Sequence, residues 1–127
     1  MLLISILVAM LFFGIVLVLM AGFIRQRGGE DVATIVQEAV KNQRLATDGG
    51  YKVVADKMLV VFRQGATGEQ KDAVARTNNV KIVGKVVGEA DTYVVEFVAR
   101  TGRELRVLSE RLRQSVDVVD ARLISAE

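Results

Sequence analysis

The pattern of apolar and polar positions begins with an uninterrupted apolar stretch. From Met1 to Ile24 the only polar side chain is Ser5. As a helix this stretch would be about 36 Å long, against roughly 30 Å for the hydrocarbon core of a bilayer. The pattern therefore predicts a single transmembrane helix over residues 1–24. A cleaved signal peptide is the alternative, because the small residues Ala21 and Gly22 lie near the end of the stretch.

Residues 25–56 are predicted to form a linker that contains an amphipathic helix over about residues 30–45. The acidic pair Glu30 and Asp31 suits the start of this helix. Its apolar residues recur at helical spacing: Val32, Ile35, Val36, Ala39 and Val40. The helix can pack on the following domain, lie along a membrane surface or pair with a partner helix, and the sequence leaves these three options open.

Residues 57–127 read as a strand, a helix and a strand written twice, with the second copy 34 positions after the first. Each copy has a Thr followed three residues later by Gln or Glu, the pattern of a capping box at the start of a helix. An apolar run predicts a strand at 58–63, and alternating apolar residues predict strands at 79–87, 92–97 and 116–124. This order predicts an α+β fold, namely a ferredoxin-like βαββαβ sandwich.

The predicted sheet has one face for the two helices and one open face. The expected core is Leu59, Val61, Val80, Ile82, Tyr93, Val95, Phe97, Leu105, Leu108, Leu112, Val116 and Val118. The open face would carry Val60, Phe62, Val83, Val94 and Val119 among charged residues. An apolar centre with a charged rim is typical of an interaction surface, although strand propensity alone also favours β-branched residues.

The charges exclude several classes of function. Seventeen basic residues nearly balance 15 acidic ones, so a nucleic-acid partner is not expected. The helix with Arg103, Arg106, Arg111 and Arg113 is either a solvated face or a contact for anionic head groups. Histidine and cysteine are both absent, which excludes Ser-His-Asp and Cys-His catalysis and leaves only carboxylates for zinc. We therefore predict a protein that is not an enzyme, has no cofactor and no metal site, and binds another protein.

The predicted location is a membrane, crossed once by residues 1–24. Arg25 and Arg27 follow the apolar stretch and favour a cytoplasmic position for the rest of the chain. The absence of cysteine is compatible with either side of the membrane.

Three runs of residues carry a family resemblance. They are Met58-Leu59-Val60-Val61-Phe62-Arg63 followed by Gly65 and a Thr-capped helix, Val80-Lys81-Ile82-Val83 followed by a turn and Tyr93-Val94-Val95, and Val116-Asp117-Val118-Val119-Asp120-Ala121. In this order they resemble the propeptides of subtilisin-like serine proteases and the stand-alone inhibitors related to them. The resemblance covers about residues 57–127.

The resemblance implies a mode of binding. Such propeptides lay the open face of their sheet on two surface helices of the protease and run their C-terminal tail through the substrate cleft, as folding chaperone and inhibitor. The docking face would here be Val60, Phe62, Val83, Val94 and Val119, and the tail Leu123, Ile124, Ser125, Ala126 and Glu127. An ordinary frayed terminus is the alternative for the tail.

The expected function is thus that of a non-catalytic, membrane-anchored binding module that inhibits or chaperones a subtilisin-like protease on a separate chain. The alternative is a single-span accessory or structural subunit of a membrane protein complex, in which the N-terminal helix packs among other membrane helices.

Overall fold

The computed structural model describes residues 29–127, which form an α+β fold with a five-stranded antiparallel sheet and three helices. The elements are α1 (Val32–Lys41), β1 (Leu45–Asp48), β2 (Tyr51–Phe62), α2 (Gly68–Thr77), β3 (Lys81–Lys85), β4 (Thr92–Glu96), α3 (Gly102–Arg113) and β5 (Val118–Ser125). Within this range no helix is long and apolar enough to cross a membrane. The transmembrane helix predicted over 1–24 lies outside the described residues.

The helices α2 and α3 begin where their capping boxes predict. In α2, the N–H of Gln70 donates to the Thr67 hydroxyl oxygen over 3.1 Å, and the Thr67 N–H donates back to the Gln70 side chain over 2.8 Å. Thr101 caps α3 in the same way through Glu104. Each reciprocal pair satisfies two amides that have no partner inside the helix, so the repeat seen in the sequence marks two real helix starts.

The sheet is organised around the long strand β2. The second half of β2 pairs with β4, the first half pairs with β1, and β5 runs antiparallel along the other edge. The strand β3 pairs with the outer side of β4. The order β5-β2-β4-β3 is compatible with a ferredoxin-like arrangement, with β1 as an additional strand beside the start of β2.

The sheet face covered by α2 and α3 holds the larger core. Leu105, Leu108 and Leu112 of α3 are all fully buried there, as their spacing predicts. They pack with Val74 of α2 and with the strand residues Val53, Met58, Val60, Phe62, Val95, Phe97, Val118 and Ala121.

The opposite face is closed by α1. Ile35 and Ala39 of this helix are buried, and they pack on Val54, Leu59, Val86, Val94 and Ile124 of the sheet. The molecule therefore has three layers, with α1 over the apolar part of the second sheet face. Of the three positions that the sequence left open for this helix, the structure shows packing on the domain.

From Glu30 onward, the stretch predicted as a linker over 25–56 consists of an isolated bridge to Val86, the helix α1, the strand β1 and the first half of β2. Gly49 and Gly50 have φ angles of +57° and +88°, which suit a tight two-residue hairpin between β1 and β2. The sequence pattern predicted neither β1 nor the first half of β2, and β2 is 12 residues long instead of the six predicted over 58–63. The chain that enters the domain is thus held as an integral strand pair.

Candidate interaction surfaces

The structure does not bring the five residues of the predicted docking face together. Val60 and Phe62 lie in the core beneath α2 and α3, whereas Val94 and Val83 lie on the opposite face with α1. Val119 is exposed. The assignment of Val60 and Phe62 to an open face is therefore wrong, and Val94 is completely covered.

The error comes from the alternation of β2. Every residue from Met58 to Phe62 is apolar, so the sequence alone does not show which alternate set faces the helices. In the structure the set is Met58, Val60 and Phe62, while Leu59 faces α1 and Val61 is half-buried. Val116 was also expected in the core, but it lies in the turn before β5 and is 87% exposed.

The predicted tail is a strand of the sheet through most of its length. Leu123, Ile124 and Ser125 belong to β5, and Ile124 is buried under α1. Ser125 pairs with Val53, and the N–H of Ala126 donates to the Lys52 carbonyl oxygen over 2.9 Å. Residues 123–126 are therefore not free to enter a cleft unless they first leave β2, and only Glu127 of the predicted set lies beyond this pairing.

The free edge of β5 is closed at Ala121 by two side chains. Arg113, at the end of α3, donates to the Ala121 carbonyl oxygen over 2.8 Å, and the Ala121 N–H donates to the Asp120 carboxylate over 2.9 Å. Arg113 also donates to Asp120 over 3.1 Å, so the two caps hold each other. Backbone groups on a strand edge offer a template for another strand, and this pair removes both of them at one position.

The end of the opposite edge is closed by the start of the described chain. The Glu30 N–H donates to the Lys85 carbonyl oxygen over 2.7 Å, and the Val87 N–H donates to the Glu30 carbonyl oxygen over 3.1 Å. A Cβ at Gly84 would lie 2.7 Å from Cγ of Glu30, so glycine leaves room for this side chain. No local pattern signals either edge cap, since one crosses the turn between α3 and β5 and the other joins Glu30 to a distant strand.

Loss of the Arg113 cap is expected to promote self-association. In Arg113→Ala the Ala121 carbonyl oxygen loses its donor, so β5 of a second copy can pair with it. We expect dimers at a concentration about tenfold lower than for the unmodified chain, because the Ala121 carbonyl oxygen of each copy can accept a backbone hydrogen bond worth about 1 kcal/mol from the other. Light scattering of the full chain in neutral detergent measures this.

Arg63→Ala is the matched control for the edge cap. It removes the same charge from an arginine of similar exposure, which pairs with Asp117 at 3.0 Å, but leaves the edge of β5 capped. Each substitution is expected to cost the fold less than about 1 kcal/mol. Equal association of the two variants would show that charge, not the exposed edge, controls the effect.

The carboxylates of the described residues are spread over the domain. Within residues 29–127 no three Asp or Glu side chains come together in a way that could hold a metal ion. The carboxylates with close partners are engaged in structural ion pairs, such as Arg44 to the buried Asp56 at 3.1 Å and Arg106 to Asp48. This part of the chain is an α+β domain with one helix-covered apolar face on each side of its sheet.

Comparison with protein-family models, curated proteins and solved structures finds no match for this chain. The function is therefore inferred from the geometry of the domain.

Proposed function

We propose that this chain is a non-catalytic, membrane-tethered protein-binding module with a ferredoxin-like scaffold, and that its sheet recognises a helix of the partner. One observation supports this proposal above others. The sheet face opposite α2 and α3 holds an amphipathic helix, α1, through apolar side chains. The face is thus suited in shape and chemistry to a helix, and α1 occupies the position that a partner helix would take.

The contact of α1 with the sheet is modest. Only Ile35 and Ala39 are fully buried, while Val32 and Val36 are partly buried and Val40 is 51% exposed. Burial of an Ile side chain contributes about 1.5–3 kcal/mol, and the cost of ordering a ten-residue helix opposes it. A partner helix with a longer apolar stripe could therefore displace α1.

The first partner class is a subtilisin-like protease, as the resemblance of residues 57–127 implies. The sheet would dock on helices of the protease, as in the propeptides. The docking residues would be those beneath α1, such as Leu59, Val94 and Ile124. Insertion of the tail 123–127 into a substrate cleft would require the end of β5 to leave β2. Residues 1–24 would serve as the membrane anchor.

The second candidate is an accessory subunit of a membrane complex. It is favoured by the observation that both surfaces used by a propeptide are occupied, one by α1 and the other by pairing within the sheet. Such a subunit would use the closed domain as a permanent structural element. The two candidates differ in whether release of α1 changes binding.

Release of α1 is the test. In Ile35→Asp a charge replaces the most buried side chain of α1, whereas Val40→Asp makes a similar change on the exposed side of the same helix. If α1 competes with a partner helix, Ile35→Asp tightens inhibition of a subtilisin-like protease by about tenfold or more, because the competent state becomes more populated. Asp31→Ala, which removes the N-cap of α1, gives a smaller effect in the same direction.

Two measurements are needed. The first is protease inhibition by the full chain in neutral detergent, and the second is cross-linking in native membranes with identification of the products by mass spectrometry. Inhibition that is stronger in Ile35→Asp than in Val40→Asp supports the protease partner. A stoichiometric membrane partner captured equally by all variants supports the accessory subunit. Failure of both, with the sheet intact by circular dichroism, would overturn the binding-module proposal.

A further inference from the structure

The arginines of the domain fall into two groups. One group forms ion pairs with carboxylates within 4 Å: Arg44, Arg63, Arg106, Arg113 and Arg122. The other group has no such pair with any residue of the described range: Arg76, Arg100, Arg103 and Arg111. Three of these four line one pocket, so the guanidinium groups without a carboxylate are concentrated in one place.

This arginine pocket lies on the outer side of α3 and has a volume of about 270 Å³. It is lined by Arg100, Arg103, Glu104, Val107, Leu108 and Arg111. Arg103, Val107 and Arg111 follow one another at four-residue spacing, which places them along one face of the helix. The volume is below the roughly 300–1,000 Å³ typical of pockets for drug-sized ligands, so the pocket suits a small group.

Glu104 is the one carboxylate in the lining, and it is engaged elsewhere. Its Oε1 accepts a hydrogen bond from the Thr101 hydroxyl over 3.0 Å and lies 3.4 Å from the Thr101 backbone nitrogen, as part of the helix cap. The three arginines of the lining therefore share the pocket with one carboxylate, and that carboxylate is engaged with Thr101. With three arginines and one carboxylate, the pocket lining has an excess of positive charge.

Arg100 is packed against a neighbouring aromatic ring at the pocket. Its Nε is buried and donates to no atom of the described residues. Its guanidinium lies over the Phe97 ring, with the central carbon 5.8 Å from the ring centroid, so the side chain is held in place. Because this Nε has almost no accessible surface, a ligand in the pocket can accept hydrogen bonds from Arg100 only through the terminal nitrogens of its guanidinium group.

We propose that Arg100, Arg103 and Arg111 form a binding site for a phosphate group. Guanidinium groups present planar, paired donors that match phosphate oxygens, and several around one small pocket favour a dianion over a single carboxylate. The group can belong to a lipid head group or to a phosphate compound in solution. This site is separate from the sheet face under α1 and does not depend on the proposed function.

The first arm of the test uses inorganic phosphate and the full chain in a neutral detergent. Titration is followed by the Nε–H NMR signals of the arginines. Phosphate is expected to shift the signal of Arg100 and to bind about tenfold more weakly to Arg103→Gln and to Arg111→Gln, since each loses a charged hydrogen bond. Arg76→Gln is the matched control, because Arg76 is exposed, has no ion pair in the described range and lies on α2 outside the pocket.

The second arm uses nanodiscs of phosphatidylcholine with and without phosphatidylglycerol. Broadening of the Arg100 signal by a spin label on the head group, only when phosphatidylglycerol is present, identifies a lipid source. A response in the first arm alone identifies a soluble phosphate compound. No response in either arm, or equal losses for Arg76→Gln and Arg103→Gln, would overturn the site.

Discussion

Gly102→Ala is expected to destabilise the domain by about 1–3 kcal/mol or more, as overpacking of a close contact does. Gly102 is the first residue of α3, where the helix touches β1. A Cβ at this position would overlap the Thr47 carbonyl oxygen and lie 2.7 Å from the Thr47 carbonyl carbon. Both groups are backbone, so neither can rotate away. Urea unfolding of the full chain in neutral detergent measures the loss.

The repeat supplies the control for this substitution. Gly68 is the first residue of α2, directly after its capping Thr, and a Cβ there would meet nothing within 4 Å. Gly68→Ala is therefore expected to be neutral or to stabilise by about 0.4–1 kcal/mol, because alanine reduces the freedom of the unfolded chain. If the two glycines tolerate alanine equally well, the close packing of α3 on β1 is not present in solution.

Phe62→Ala is expected to have the largest effect on stability, a loss of about 3–5 kcal/mol. The ring is 2% exposed and packs edge-on against Tyr93, with ring centroids 5.6 Å apart and planes at 72°. Its removal leaves a cavity between the sheet and the helices. Val119→Ala is the control from the same predicted surface, and its side chain is exposed, so a change within about 0.5 kcal/mol is expected.

The same two variants test whether Phe62 lies in the core or on the docking surface. A variant Phe62→Ala that unfolds at the concentration of urea seen for the unmodified chain, but no longer binds its partner, would return Phe62 to the docking surface. A large loss of stability with Phe62→Ala and none with Val119→Ala would place the two residues where the structure has them.

Local signals in the sequence predicted most of the elements. Thr67 and Thr101 mark helix starts because a capping box is complete within four residues. The leucines of α3 identify their buried face because polar residues separate them. The turn at 88–91 and the positions of β3 and β4 likewise depend on neighbours in the chain. These features require no knowledge of distant residues.

The facing of β2 and the role of α1 could not be predicted in the same way. A fully apolar run has no alternation, and the pairing of β2 with β5 is irregular between Val53 and Met58, which changes the register along the strand. Whether an amphipathic helix packs on its own sheet depends on the free energy of a long-range contact. The sequence therefore indicated two apolar faces but could not assign the cover of the second one.

The arginines of α3 show the same division. Their sequence positions indicated one basic helix face, with solvent or anionic head groups as alternatives. The structure separates Arg106 and Arg113, which pair with Asp48 and Asp120, from Arg103 and Arg111, which line the arginine pocket. Both acidic partners are far away in sequence or across a turn, so no local pattern could have made this distinction.

The attachment of Glu30 to the edge of β3 has a mechanical consequence. Any tension applied to the chain before Gly29 reaches the domain first through the two hydrogen bonds of Glu30 with Lys85 and Val87. The next element along the chain is α1, with its small apolar contact, and only then the strands of the sheet. Pulling is therefore expected to detach Glu30, then to peel α1 from its face, and to leave the core beneath α2 and α3 folded.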